Sequence, residues 1–223
     1  MTVPENWRVV VLTHDEPAAL ITECIRSILI AAQNLESAYP GSKVSLRVMD
    51  DSQPGMLQQW RPQVEALGVE YRYAPGSIAQ KRNDSWQDAS VDVIAFTDAD
   101  CQVDPDWLCA HARVYAINDQ APGVIGVTRH QVDYSPGYRA AEYAGFLVGF
   151  RFPELMPQSY WGPCSNLSVL RSSLEQIGGF DSAHFSNAAE DVDLGLRLSQ
   201  KTGRLLACQH DEVLPDVMTL AKG

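Results

Sequence analysis

The sequence predicts an α/β protein with a Rossmann-like, mostly parallel central sheet flanked by helices. Throughout the first hundred residues, short apolar runs rich in Val, Ile and Leu alternate with segments of helical spacing. Two of these runs end directly in acidic residues, at Asp50-Asp51 and at Asp98-Ala99-Asp100. Because strand–helix alternation is typical of βαβ units with right-handed crossovers, this half predicts a doubly wound domain.

The elements of the first half follow from hydrophobic spacing and turn residues. Pro17 suits a first helical turn, with an acidic residue before it as a cap. Pro-Gly pairs separate several elements. The predicted strands are 8–13, 44–49, 69–73 and 91–97, and the predicted helices are 17–32, 56–67 and 78–89.

The second half is less regular and predicts a smaller region beside the sheet. Its predicted helices are 105–117, 138–150, 172–177 and one that starts at 190, and its predicted strands are 124–128, 166–170 and 205–208. The aromatic helix 138–150 suits core packing, with contact to a membrane surface as the alternative. Since no repeat or linker is visible, we expect one domain over 1–223, with halves at about 8–100 and 101–210.

Composition and charge exclude several classes of protein. The chain has 223 residues and a net charge of −11, which argues against nucleic-acid binding because such proteins carry a basic patch. The five cysteines show no Cys-x-x-Cys spacing, so we expect reduced structural thiols in a reducing compartment. There is no signal-peptide core and no apolar run near the roughly 20 residues of a transmembrane helix. We therefore expect a cytoplasmic protein without a transmembrane segment.

Asp98 and Asp100 stand where a buried strand ends, which is where open α/β sheets bind ligands. Two carboxylates this close repel each other unless positive charge lies between them. Mg²⁺ commonly takes one or two carboxylates together with substrate phosphates. From the residues alone the alternative stays open that Asp98 caps the next helix, that Asp100 belongs to a turn, and that Asp50-Asp51 starts another turn.

Several stretches carry a resemblance to a known family because they follow one another in its order. They are Val9-Val-Val-Leu-Thr-His-Asp-Glu-Pro17, Val48-Met-Asp-Asp-Ser52, Gly76-Ser-Ile-Ala-Gln-Lys-Arg-Asn83, Phe96-Thr-Asp-Ala-Asp-Cys101, Trp161-Gly-Pro-Cys-Ser-Asn-Leu-Ser168, Gly178-Gly-Phe-Asp181 and Glu190-Asp191. Together they resemble the inverting family 2 glycosyltransferases, which have the GT-A fold. The resemblance covers about residues 8 to 208.

The resemblance implies roles for residues of the first half. Asp51 would hydrogen-bond the nucleotide base, with Asp50 beside it, and Thr13 would contact the nucleoside. Arg82 would lie near the base and the diphosphate. Lys81 replaces a residue that is usually small, so which of Lys81 and Arg82 contacts the donor is open.

The resemblance also implies the metal, the base and the acceptor side. Asp98 and Asp100 would bind the ribose and a Mn²⁺ or Mg²⁺ ion that clamps the diphosphate, and Asp191 would be the catalytic base. Trp161, Gly162 and Glu190 would line the sugar and acceptor pocket. Read without the resemblance, Glu190 and Asp191 are acidic residues that favour a helix N-terminus.

The expected function is metal-dependent, inverting transfer of a sugar from a nucleotide-diphosphate sugar to a hydroxyl of a saccharide or lipid-linked acceptor. The leaving diphosphate develops negative charge that a metal offsets as a Lewis acid, while a carboxylate on the opposite side accepts the proton of the attacking hydroxyl. With a lipid-linked acceptor, membrane contact would be peripheral, at the inner face of the membrane.

Other functions remain as alternatives. A sugar nucleotidyltransferase should carry a Gly-rich basic loop after the first strand, where this chain has Thr13-His-Asp-Glu-Pro17. A non-catalytic nucleotide-sugar sensor or scaffold should have lost a metal carboxylate or the base. A Rossmann dehydrogenase should show Gly-x-Gly-x-x-Gly there. We expect His14, His111, His130 and His184 to be structural or surface residues, and we leave His210 out of the site.

Overall fold

The computed structural model describes residues 3–88, 90–130, 136–145, 147–209 and 218–221. The strands are β1 Asn6–Thr13, β2 Lys43–Asp50, β3 Glu70–Tyr73, β4 Val93–Asp98, β5 Cys101–Val103, β6 Gly123–Ile125, β7 Val127–His130, β8 Gln158–Ser159, β9 Leu167–Leu170, β10 Leu206–Cys208 and β11 Met218–Ala221. The helices are α1 Ala18–Ala38, α2 Pro54–Ala66, α3 Ile78–Trp86, α4 Trp107–Ile117, α5 Pro136–Tyr143, α6 Phe152–Leu155, α7 Arg171–Ile177 and α8 Glu190–Thr202.

The central sheet confirms the predicted fold class. Over the described residues it has eight strands in the order β3-β2-β1-β4-β9-β6-β10-β8. Strands β3, β2, β1 and β4 are parallel, whereas β9 runs antiparallel between β4 and β6. A second, three-stranded sheet has the order β5-β11-β7.

The core lies in two layers, one on each face of the central sheet. Alternate residues of a strand point to opposite faces, so Val9 and Val11 pack in one layer while Val10 and Leu12 pack in the other. All four are buried, as expected for a strand with both faces covered. Helices α1, α2 and α4 contribute to the first layer, and α3, α7 and α8 contribute to the second.

Helix α1 is longer than predicted, because it continues to Ala38 rather than ending near residue 32. Its length and apolar composition are those of a candidate membrane span, although the sequence suggested no such run. One face, which includes Ile21, Ile25 and Ile28, is fully buried in the first core layer. A helix in the core of an α/β domain can have the same length and apolar composition as a membrane span. The burial of this face accounts for the apolar character of α1.

Three further predictions about elements need correction. The predicted helix 138–150 breaks after α5 at Gly145, whose φ of +76° is left-handed, and a short 3₁₀ turn then covers Val148–Arg151. The predicted strand 124–128 is two strands, β6 and β7, separated by Gly126. The acidic residue before Pro17 was expected to cap α1, but no described side chain caps this helix and Pro17 itself occupies the cap position.

Candidate active site

The candidate site is a cleft of about 390 Å³ at the carboxyl ends of the parallel strands. The register of the sheet pairs Thr13 with Asp50 and Leu12 with Asp98, so β1, β2 and β4 end side by side. Seven of the predicted site residues line the cleft, and they are Thr13, Lys81, Arg82, Asp98, Asp100, Glu190 and Asp191. The fold therefore brings together in one cleft the motifs that were expected on the donor side and on the acceptor side.

The two aspartates after β4 form a group that could hold a cation. Ligand atoms of Asp98, Asp100 and Cys101 all lie within 4.8 Å of one another. The intervening residue Ala99 donates its backbone N–H to the carbonyl of Leu12, which fixes the turn against β1. Carboxylate oxygens are hard ligands that suit Mg²⁺ or Mn²⁺, so this donor set fits the expected ion. Cys101 was expected to be a structural thiol, and its place beside the carboxylates was missed.

The protein environment opposes ionisation of Asp98. Partial burial raises its pKa above the usual range, nearby Arg82 lowers it, and Asp100, Glu190 and Glu16 raise it further. The side chain of Asp98 is 40% exposed. A cation in the cleft would stabilise the charged form of Asp98.

Arg82 connects the two halves of the site. It is 5% exposed, ion-pairs with Glu190, and places Nη2 3.6 Å from a carboxylate oxygen of Asp98. Its guanidinium carbon lies 5.7 Å from the ring centroid of Phe180. Nε of Arg82 has no hydrogen-bond partner in the described part of the chain. Arg82 thus contacts carboxylates that come from β4 and from the start of α8.

Lys81 and Asp51 form a second ion pair. Nζ of Lys81 lies 2.7 Å from Asp51 Oδ1 and 3.5 Å from the carbonyl oxygen of Thr13. The ring nitrogen Nδ1 of His14 is 2.9 Å from the same Asp51 oxygen. His14 also lines the cleft, so it is more than the structural or surface histidine expected from the sequence. In this state Asp51 is already hydrogen-bonded by two protein groups.

Asp50 lies behind the site. It is fully buried, Oδ1 accepts from the backbone N–H of Ser52 at 3.0 Å, and Oδ2 accepts from the hydroxyl of Tyr71 at 3.0 Å. These bonds fix the turn that follows β2, where Asp51 stands. Asp50 does not line the cleft, so the structure gives no support to the prediction that Asp50 binds the donor.

Glu16 lines the cleft and was not predicted as a site residue. Its carboxylate accepts from the Thr13 hydroxyl at 2.6 Å and from the backbone N–H of His14. The side chain therefore folds back to the end of β1. In the sequence, the position of Glu16 just after a strand end is a signal for a site residue. The acidic residue before Pro17 was instead expected to be a helix cap.

The start of α8 forms the part of the cleft that holds Glu190 and Asp191. Ala189, just before the helix, has a left-handed φ of +61°, and Glu190 and Asp191 follow in the first turn. Asp191 Oδ1 accepts from the backbone N–H of Val192 at 2.8 Å. Burial and the neighbouring Glu190 raise the pKa of Asp191 above its usual range, while Arg82 counteracts this. A partly buried carboxylate of raised pKa suits a general base.

Trp161 and Gly162 were expected to line the sugar and acceptor pocket, but they are not among the residues that line the cleft. The Trp161 ring meets the Phe152 ring edge to face, with centroids 5.2 Å apart. A Cβ on Gly162 would lie 2.6 Å from side-chain atoms of Ile125, so the chain passes close to β6 here. The residues that follow, Pro163 to Ser165, reach the cleft itself.

The remaining histidines lie elsewhere or outside the described residues. His111 is fully buried, as expected of a structural residue, and exposed His184 contacts Asp181 at 2.8 Å. Nothing is described of the His130 side chain or of His210.

Comparisons with known proteins agree with this geometry. A family model described as "Glycosyl transferase family 2" matches residues 8–177. Among solved structures, the chain is similar to a crystal structure of GalNAc-T7 with UDP, GalNAc and Mn²⁺, with a TM-score of 0.70 and 13% sequence identity. That match covers 99% of this chain and 43% of the solved chain, so this chain spans less than half of its length. The comparison with curated proteins finds no match.

Proposed function

The chain belongs to glycosyl transferase family 2 and has the GT-A fold; from this premise we propose that it is a metal-dependent, inverting enzyme. It would transfer a sugar from a nucleoside-diphosphate sugar to a hydroxyl of a saccharide or lipid-linked acceptor. The observation that carries the proposal is the meeting of Asp98, Asp100 and Asp191 in one cleft.

The charge balance of the cleft supports metal dependence. Five carboxylates line it, and they belong to Glu16, Asp98, Asp100, Glu190 and Asp191. Its two permanent cations are already paired, Lys81 with Asp51 and Arg82 with Glu190. A diphosphate would therefore meet net negative charge in this cleft. A divalent ion at Asp98 and Asp100 would supply Lewis-acid stabilisation of the leaving diphosphate. The Mn²⁺ and UDP in the GalNAc-T7 structure are consistent with this proposal.

Asp191 is the residue we assign as general base. Its carboxylate would accept the proton of the acceptor hydroxyl while the hydroxyl oxygen forms a bond to the anomeric carbon. The bond from that carbon to the diphosphate breaks at the same time, and its electron pair leaves with the diphosphate. Attack from the side opposite the leaving group inverts the configuration of the anomeric carbon.

Asp51, Thr13, Lys81 and Arg82 are the residues we propose for donor binding. Because Asp51 already accepts from Lys81 and His14, a nucleotide base would have to share or displace these bonds. Trp161, Gly162 and Glu190 would shape the sugar and acceptor side. For location we propose the cytoplasm, or the inner membrane face for a lipid-linked acceptor. The five cysteines, which are all free and buried, suit a reducing compartment.

Calorimetric titration tests the proposal. Wild-type protein is titrated with UDP, GDP, dTDP and CDP, each with and without Mn²⁺. We expect one nucleotide to bind in the presence of Mn²⁺ and to lose at least about tenfold in affinity when EDTA removes the ion, since a charged contact is worth about 1.5 kcal/mol or more.

Asp100→Ala should remove the effect of Mn²⁺ on nucleotide binding. The matched control is Asp119→Ala. Asp119 is exposed and precedes the start of β6, whereas the cleft lies at the ends of β1 and β4. Failure of all four nucleotides to bind a folded protein would refute the proposal. Equal affinities with and without metal would refute the metal dependence alone.

A further inference from the structure

We propose that Asn83 is a positioning residue, which holds the segment 179–190 in the place that presents Asp191 to the cleft. The inference rests on the proposed function, because it assigns Asp191 the role of base. Asn83 does not line the cleft, so it would act through the segment rather than on the substrate.

The side-chain amide of Asn83 pairs with the backbone of a single distant residue. Nδ2 of Asn83 donates to the carbonyl oxygen of Phe180 at 2.8 Å, and Oδ1 accepts from the backbone N–H of Phe180 at 2.8 Å. We call this pair of bonds the Asn83 clasp. Asn83 is 6% exposed and Phe180 is 3% exposed, so water does not compete for either bond. The clasp therefore fixes α3 and the segment to each other at one point.

The clasp requires a residue without a side chain at position 179, which is Gly179. Its φ of +78° is left-handed, and a Cβ there would lie 2.4 Å from Oδ1 of Asn83. Any L side chain at this position would press on the amide that binds the next residue. The backbone approaches Asn83 closely because position 179 is glycine.

Further hydrogen bonds join the N-terminal turn of α3 to the same segment. The backbone N–H of Ala79 donates to the Ser186 carbonyl at 3.1 Å, and that of Ile78 donates to Asn187 Oδ1 at 3.2 Å. These bonds use N–H groups that have no partner inside the helix. The segment thus crosses the start of α3 and is fixed along its length, not only at Phe180.

The opposite end of α3 is fixed to the sheet. Arginines of β1, β2 and β3 donate to its last carbonyls, which lack partners inside the helix. The bonds are Arg47 to Ser85 at 2.9 Å, Arg72 to Asp84 at 3.1 Å and Arg8 to Ser85 at 3.3 Å. Helix α3 is therefore a rigid connection from the sheet to the segment 179–190.

The backbone conformation at Ala189 shows that the end of the segment is constrained. An L residue rarely adopts a φ of +61°, and such a conformation persists when the surroundings determine it. Upstream, the segment is held by the Asn83 clasp, and downstream Glu190 is held by Arg82. Without the clasp, the buried attachment at Phe180 is lost and only the bonds at Ser186 and Asn187 hold the segment upstream of Asp191, so the position of Asp191 becomes less defined.

The test compares Asn83→Ala with Asn34→Ala. Asn34 is the control because its Nδ2 also donates to a distant backbone carbonyl, that of Pro105 at 2.8 Å, and neither residue lines the cleft. UDP with Mn²⁺ is the binding probe, and release of UDP from UDP-glucose and UDP-N-acetylglucosamine gives kcat and KM. Hydrogen exchange of the amides in 179–190 reports on the segment itself.

We expect Asn83→Ala to accelerate exchange in 179–190 at least about tenfold, because a buried pair of hydrogen bonds is lost. Misplacement of a catalytic group by about 1 Å can cost about 100-fold, so kcat should fall by about that factor. UDP affinity should stay within about twofold, since no donor-binding residue has changed. Asn34→Ala should leave all three quantities unchanged.

Two other variants keep the proposal testable if Asn83→Ala does not fold. Asn83→Asp keeps the acceptor for Phe180 N–H but sets a second acceptor against the Phe180 carbonyl, so it should accelerate exchange and reduce kcat at least as much as Asn83→Ala. Gly179→Ala disturbs the clasp from the other side, and combining it with Asn83→Ala should cost no more than the larger single effect.

Several results would overturn the proposal. These are an unchanged kcat, unchanged exchange, or a fall in kcat/KM that is matched by an equal loss of UDP affinity. If the wild-type protein releases no UDP and binds none of UDP, GDP, dTDP and CDP with Mn²⁺, the proposed function fails separately. Exchange then decides alone, with acceleration in Asn83→Ala supporting the clasp and unchanged exchange overturning it.

Discussion

Lowering the pH should destabilise the fold through one buried residue, His111. Its Nε2 lies 3.0 Å from Asn166 Oδ1, and its Nδ1 lies 2.8 Å from Ser168 Oγ. Since Asn166 Nδ2 donates to the Val127 carbonyl, Oδ1 is the acceptor and His111 carries its proton on Nε2. Nδ1 must then accept from Ser168, whose oxygen lies 3.1 Å from the Tyr115 hydroxyl. A second proton, on Nδ1, would require Ser168 Oγ to accept instead of donate and would place a positive charge on a fully buried ring.

The magnitude follows from the pKa of His111. Burial lowers it from 6.5 to about 4. At about 1.4 kcal/mol for each pKa unit, that difference corresponds to about 3 kcal/mol of folding free energy. Between these two pH values the unfolded chain binds the proton and the native protein does not. The contribution of His111 is therefore complete above pH 6.5 and is lost as the pH falls towards 4.

Urea unfolding of the wild type and of His111→Gln at several pH values between 7 and 4 measures this contribution. Comparison of the two pH slopes is needed because Asp98 and Asp191, whose pKa values are raised, favour the native state as the pH falls. We expect the wild type to lose about 3 kcal/mol more than the variant over this range. Parallel slopes for the wild type and His111→Gln would refute the reasoning.

The other predictions concern the cleft and one close helix contact. Asp191→Asn should keep nucleotide and Mn²⁺ binding but reduce kcat by about 100-fold or more, measured as UDP release; normal turnover would remove Asp191 as the base. In the wild type, kcat should fall as the pH drops through the raised pKa of Asp191, at a pH above 3.8, and a pH–rate profile checks this. Asp98→Asn should raise the melting temperature without metal, because the native protein opposes its ionisation, while abolishing the effect of Mn²⁺ on UDP binding; a lower melting temperature would contradict this. Gly195→Ala should destabilise the protein by about 1–3 kcal/mol in urea, despite the higher helix propensity of alanine. A Cβ on Gly195 would lie 2.1 Å from the Tyr160 carbonyl oxygen, and an unchanged midpoint would mean that the contact relaxes freely.

Local patterns in the sequence predicted the layered sheet and the edge where the cleft lies. The runs around Val9–Val11 and at 93–97 are apolar because both faces of β1 and β4 are covered, so their sequence carries the signal. The sequence also shows where an apolar run ends. Thr13 and Asp98 were therefore expected together at the carboxyl ends of the strands.

The features that the sequence did not reveal are contacts between distant residues. The sequence of an apolar strand does not indicate which strand it pairs with. The antiparallel position of β9 between β4 and β6 could therefore not be predicted from local sequence. The pairing of Lys81 with Asp51 and the return of Glu16 to β1 depend on where long side chains reach. Asn83 looked like part of a motif, and only the fold shows that it binds residue 180.

The three-stranded sheet has a consequence for how the protein is made. Strand β11, from residues 218–221, pairs antiparallel with β5 and parallel with β7. Because β5 begins directly after Asp100, this backbone pairing completes the structure beside the two aspartates proposed to bind metal only when residues 218–221 are present. A nascent chain on the ribosome can form β1 to β4 much earlier, yet it lacks this support. The turn at Asp98 and Asp100 should therefore gain this support later in folding than β1 to β4 form, once residues 218–221 pair with β5 and β7.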